Sequence, residues 1–182
     1  MYKLHFVNGR SLIIDLHLNG KKVIIVGAGN EALKRIKLLQ NEGCKIIVIG
    51  EKPNSEITKL SKTKKIIFKK IKITSSLFLK TYKPFLVIAS TTDSSLNQKI
   101  VQTAKKMKIL AYASDSPDSS DISYLSLIDI KKTIKIGIST NGGSPIMAKK
   151  IKSNVEKYVQ KNISDEDIEL IKIQKFARNE SK

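Results

Sequence analysis

The chain has 182 residues, 41% of them hydrophobic, with one cysteine and two histidines. This excludes an internal disulfide and a histidine-rich metal centre, and no apolar run approaches the roughly 18 residues that span a bilayer. Its 34 Lys and Arg against 16 Asp and Glu leave a net charge of +18. Only Arg10, Arg35 and Arg178 are arginines and only 5% of the chain is aromatic, so the residues that read and stack on bases are scarce. Nucleic acid is therefore disfavoured as a partner.

Half of the positive excess lies in residues 52–83, where ten lysines face one acid, Glu56. A field of that sign attracts a polyanion, and the plainer alternative is a lysine-rich solvated face. The first ten residues alternate polar and apolar side chains without the apolar stretch of a signal peptide, so a cytoplasmic address is expected.

In chain order, residues 22–26 form a short apolar run that ends in glycines, which predicts a strand. Residues 31–40 carry Ala32, Ile36 and Leu39 at helical spacing. Residues 45–49 are a β-branched strand, 65–68 a weaker one and 85–89 a nearly wholly apolar one. A helix over 94–107 places Leu96, Ile100 and Ala104 on one face, and a fifth strand covers 108–113. This alternation predicts an α/β, Rossmann-like, doubly wound parallel sheet.

After Asp115 the rhythm changes. A turn-rich loop leads to strands at 122–129 and 133–138, which predict a hairpin, then a long helix from Pro145 to about Lys161 and a last helix from near Asp165. The expected organisation is a nucleotide-binding domain over 1–113, a smaller dimerisation and ligand-binding region over 114–161, and a C-terminal helical segment over 162–182.

The sharpest motif is Gly27-Ala28-Gly29-Asn30-Glu31-Ala32, a G-x-G-x-x-A that leaves a strand and opens a helix. Gly27 permits a tight turn, Gly29 lets backbone approach a pyrophosphate, and Ala32 lets the helix pack close to the strand. The helix N-terminus supplies N–H donors, so residues 27–31 are candidates to bind a dinucleotide. Glu51 follows the second strand at the spacing of a ribose-binding carboxylate, while Lys52 beside it suits a 2′-phosphate; the choice between NAD and NADP stays open, leaning to NAD.

Ser90, Thr91 and Thr92 follow the fourth strand, on the edge where a cofactor lies, and Thr92 or Asp93 can cap the next helix. Asp115 follows the fifth strand on the same edge. Asp118 and Asp121 crowd it, and mutual repulsion is expected to raise one pKa of the three and suit it to proton transfer. Thr140, Asn141, Gly142, Gly143 and Ser144 precede Pro145; Ser144 is a natural N-cap, and the loop before it forms an anion site suited to carboxylates.

Together these segments resemble the precorrin-2 dehydrogenase and sirohydrochlorin ferrochelatase family, the N-terminal module of sirohaem synthases. That family shows an apolar strand into G-G-G or G-A-G, then A-A-T-D-D-x-x-x-N, V-D-x-P and S-T-G-G-x-S-P before a long helix. The matching stretches here are 23–32, 89–97, 114–117 and 139–145, in the same order. The departures are Tyr112 where an Asn is usual, Ile122-Ser123-Tyr124-Leu125 for F-x-x-P, and Asn141 for the first Gly.

The resemblance implies NAD-dependent oxidation of precorrin-2 to sirohydrochlorin in sirohaem biosynthesis, with insertion of ferrous iron as a second activity of some members. It implies a catalytic role for Asp115, a tetrapyrrole site at Thr140, Gly142 and Ser144, and an intertwined homodimer. The substrate's eight carboxylates would give the lysines a steering role. A short-chain dehydrogenase is excluded because no tyrosine has a lysine four residues on. The alternative of another class is a regulatory domain that senses a dinucleotide without turning it over.

Overall fold

The computed structural model describes residues 12–180. They divide into two compact units, Asp15–Ser123 and a second one that begins at Tyr124 and also takes in the few described residues before Asp15. The first unit extends past the boundary expected after Ala113. The reason is hydrogen bonding: Asp121 N–H reaches the Ala111 carbonyl at 2.8 Å and Ala113 N–H reaches the Ser120 hydroxyl at 2.9 Å, which fastens the loop to the last strand.

In the first unit β1 (Lys22–Val26), β2 (Lys45–Gly50), β3 (Ile67–Lys70), β4 (Leu86–Ala89) and β5 (Leu110–Ala113) form a parallel sheet in the order β3-β2-β1-β4-β5. Helices α1 (Asn30–Leu39), α2 (Ser55–Lys62), α3 (Phe78–Tyr82) and α4 (Ser94–Lys106) make the crossovers. The expected α/β doubly wound architecture is therefore present. Strands covered on both faces must be apolar throughout, and the central ones are: residues 23–26 and 86–89 are all buried. Each such Val, Ile or Leu contributes about 1.5–3 kcal/mol by leaving water. The α4 side of the sheet packs Val87, Ala89, Ala111 and Ala113 against Leu96, Ile100 and Ala104.

Two helices escape the periodicity reading. In α2 the buried residue is Ile57 and in α3 it is Leu79, too little for a stripe. The third strand lies over Ile67–Lys70 rather than 65–68, because Lys64 takes a positive φ of 58° and the turn out of α2 uses Lys65.

The second unit contains an antiparallel hairpin, β6 (Ser126–Ile130) and β7 (Ile134–Ile138), followed by α5 (Pro145–Asn162) and α6 (Asp165–Glu180). The hairpin and both helices fall where expected, except that β6 starts at Ser126 and not at Ile122.

Candidate functional site

The carboxyl ends of β1, β2 and β4 open into a cleft of about 580 Å³ lined by residues 26–29, 49–52, 71–73, 90–93 and Leu96. It lies where β1 and β4 are neighbours and the chain order reverses, the place where parallel α/β sheets bind ligands. Gly27 has φ +110°, and a Cβ there would stand 2.4 Å from the Ser90 carbonyl oxygen, so no larger residue fits. At Gly29 an added Cβ would meet nothing within 4 Å, and α1 has no side-chain cap. The open space and the uncapped N–H groups fit the pyrophosphate of a dinucleotide.

On the opposite side, Ser90 is fastened to β1: its N–H and its hydroxyl both donate to the Val26 carbonyl, at 2.8 and 3.1 Å. Asp93, not Thr92, caps α4 by accepting the Leu96 N–H at 3.0 Å, which leaves Thr92 exposed on the cleft wall. Thr91 turns inward, its hydroxyl donating to Asn97 Oδ1 at 2.7 Å.

Asp115 lies one residue beyond Ser114, after β5, and is held at the first turn of α4. Ser94 Oγ donates to its Oδ2 at 2.5 Å and Asn97 Nδ2 donates to the same oxygen at 3.0 Å. Burial works against the charged carboxylate, but the bonds from Ser94, Asn97 and its own backbone outweigh it and hold the pKa below the ordinary 3.8. The rise expected from crowding is thus reversed at this residue. Asp121 is turned away, its oxygens bonded to the Ala111 N–H at 3.0 Å and to Lys105 Nζ at 3.2 Å.

The chain matches a family model described as "Putative NAD(P)-binding" over residues 14–126. It belongs to that family. Among its relatives, the precorrin-2 dehydrogenase of Bacillus subtilis (strain 168) is 28% identical over 148 residues, covering 81% of this chain and 88% of that protein. The siroheme synthase of Blochmanniella floridana is 30% identical over 155 residues, and that of Nitrosococcus oceani 28% over 145. This chain covers 85% and 80% of itself in those matches but spans only 32% and 30% of the two synthases. The solved structure of "SirC, precorrin-2 dehydrogenase" shares the fold, with a TM-score of 0.69 at 23% identity over 89% of this chain and 88% of that one.

Within this NAD(P)-binding unit, seven of the residues read as cofactor-binding line the cleft: Gly27, Ala28, Gly29, Glu51, Ser90, Thr91 and Thr92. Asn30 and Glu31 do not line it. The Asn30 side-chain oxygen accepts from Asn54 at 2.8 Å, and Glu31 pairs with Lys34 at 2.5 Å and Arg35 at 3.9 Å on the outside of α1. The Lys34 hydrogen bond is the main cause that holds the Glu31 pKa below its usual value.

Two bracing residues escape the sequence reading. A Cβ on Gly50 would meet the Ala28 Cβ at 2.9 Å, so this glycine lets β2 pass beneath the loop. Asn54 donates its N–H to the Ala28 carbonyl at 2.8 Å while its side chain caps α2. A glycine that ends a β-branched strand was the available signal for the first; the second is visible in sequence only as a cap.

In the second unit, Thr140 organises the loop before α5. Its carbonyl accepts the Gly143 N–H at 2.8 Å and its hydroxyl accepts the Ser144 N–H at 3.2 Å. The Asn141 N–H goes to the Ser139 hydroxyl, and the Ser144 hydroxyl caps α5 by accepting the Met147 N–H. Asn141 and Gly142 both take left-handed φ values, 48° and 75°. The loop therefore consumes several of its own donors, more than an open anion nest would. Among the described residues no group of three His, Cys, Asp or Glu is placed to hold a metal ion. No helix there is long and apolar enough to cross a membrane.

Proposed function

We propose that the chain oxidises precorrin-2 to sirohydrochlorin with NAD⁺. The observation that carries this reading is the match along 88% of the Bacillus subtilis precorrin-2 dehydrogenase, supported by the open cleft at the glycine turn. When bound, the dinucleotide supplies the hydride acceptor. Residues 27–29 and the start of α1 hold the pyrophosphate, and Glu51 takes the adenosine ribose hydroxyls. Residues 90–92 border the nicotinamide end. Asp115, charged at neutral pH, accepts the proton that the substrate gives up as its hydride leaves.

The loop over Thr140, Asn141, Gly142, Gly143 and Ser144 receives substrate carboxylates. The lysine excess draws in this polyanion. The chain acts in the cytoplasm as a homodimer, and ferrous iron is a candidate second substrate at Asp115.

The test is an anaerobic assay of the purified chain with precorrin-2 and NAD⁺, following NADH and sirohydrochlorin absorbance. The wild type should turn over. Asp115→Ala should lose about 10²–10⁴-fold in kcat, the size of a proton-transfer contribution, while its NAD⁺ affinity changes little. Adding ferrous iron to the product mixture reads out chelation. Binding of NAD⁺ with no turnover would replace the enzyme by a dinucleotide-sensing domain.

A further inference from the structure

Asn97 occupies a place where patterning calls for an apolar residue. It lies on the buried stripe of α4 with Leu96, Ile100, Val101 and Ala104, and is 0% exposed. Among the described residues no other amide, hydroxyl-bearing aliphatic or charged side chain is buried. A primary amide tolerates such burial only when its two donors and two acceptor positions are matched.

All four are matched. Nδ2 donates to the Thr91 carbonyl at 3.0 Å and to Asp115 Oδ2 at 3.0 Å. Oδ1 accepts the Thr91 N–H at 3.1 Å and the Thr91 hydroxyl at 2.7 Å. Three bonds therefore grip the segment after β4, which lines the dinucleotide cleft, and the fourth grips the carboxylate after β5. Ser94, one turn earlier on the same helix face, supports the same carboxylate oxygen. Neither side chain engages Oδ1 of Asp115.

We infer that Asn97 is a positioning residue, which holds the Asp115 carboxylate in register with Thr91 at the cofactor edge. Tyr112, three residues before Asp115, is not available for that task. It faces the other side of the sheet, where its hydroxyl accepts from Arg35 at 2.9 Å. The other carboxylates near Asp115 along the chain are otherwise occupied or solvated. Asp93 caps α4, Asp121 is bonded to Ala111 and Lys105, and Asp118 is exposed in the turn Pro117–Ser119. What Asp115 does chemically rests on the proposed dehydrogenase reading; the link between Asn97, Thr91 and Asp115 is a property of the chain without ligands.

The experiment is an NMR titration of the full chain that follows the Asp115 carboxyl carbon and the Asn97 side-chain NH₂. In the wild type the Asn97 amide protons should track the Asp115 midpoint. In Asn97→Leu, near-isosteric and uncharged, the acid dissociation constant of Asp115 should fall about tenfold, and the acid limb of kcat should move up in pH with it. NAD⁺ should shift the Asp115 signal in the wild type and leave it unmoved in a variant that still binds NAD⁺.

A variant that only loses thermal stability, with Asp115 titrating as in the wild type, overturns the inference. So does a wild-type Asn97 amide blind to Asp115, a result that needs no variant to fold. Failure of the wild type to oxidise precorrin-2, with the titration coupling intact, would sink the dehydrogenase reading alone.

Discussion

The turn after β1 depends on a single missing carbon. Gly27 combines a positive φ with a backbone oxygen 2.4 Å from where a Cβ would sit, so neither a rotamer change nor a small side-chain shift relieves a substitution. Gly27→Ala is expected to cost about 1–3 kcal/mol of stability from backbone strain, and the displaced loop should weaken NAD⁺ binding at least about tenfold. Calorimetry with NAD⁺ and thermal melts of both proteins check this. Gly29→Ala, where the added carbon meets nothing, should melt near the wild type and lose affinity only through its approach to the ligand. The pair separates a glycine needed by the fold from one needed by the cofactor. The motif itself assigns Gly27 to the turn and Gly29 to the ligand, but the Ser90 carbonyl that excludes a side chain at Gly27 follows β4, far along the chain, and has no local signal in the sequence.

At the level of elements, strong caps and full apolar runs made β1, β2, β4, α4 and α5 readable in advance. The two helices carry a local signal, since Asp93 and Ser144 each satisfy an N–H of the first helical turn. Of the elements that were missed or shifted, α2, α3, β3 and the start of β6, α3 draws on contacts with distant residues. Its Leu79 joins the core formed by β1, β4 and α4. The cap of α5 is the cleanest case to measure. Ser144→Ala removes the 3.1 Å bond to the Met147 N–H. It should destabilise the second unit by about 1 kcal/mol, a fall of roughly 4–8 °C in its melting temperature. Ser144→Asp, which keeps an acceptor at the positive end of the helix, should stay close to the wild type. A loss of stability in both variants would show that Ser144 is held by something other than capping.

For the whole molecule, the lining of the candidate cleft was legible because one sheet gathers it: motifs far apart in sequence follow strands that end on one edge. The role of Asn97 was not, since a lone amide on an apolar helix face has no local explanation until β5 brings Asp115 beside it. The second unit poses the remaining problem, an excess of uncovered apolar surface. Ile146 is 82% exposed, Phe176 65% and Ile173 59%, and Met147, Ile151, Tyr158 and Leu170 are exposed as well. Scattered single residues of this kind need no partner, but α5 and α6 each present several of them. Both helices also carry the lysines and acids that keep such a surface soluble until it meets a complementary one. A second copy of the chain is the partner proposed above, and a two-fold interface would bury these residues twice over. Sedimentation equilibrium should therefore give twice the monomer mass at micromolar concentration. Ile173→Glu, which sets a charge in a surface that must be desolvated, should shift the population toward monomer by about tenfold or more in dissociation constant. Because Ile173 is exposed in the single chain, the variant should leave the thermal stability of the sheet-bearing unit and its NAD⁺ affinity unchanged. A wild type that sediments as a monomer would leave those helices to a different protein.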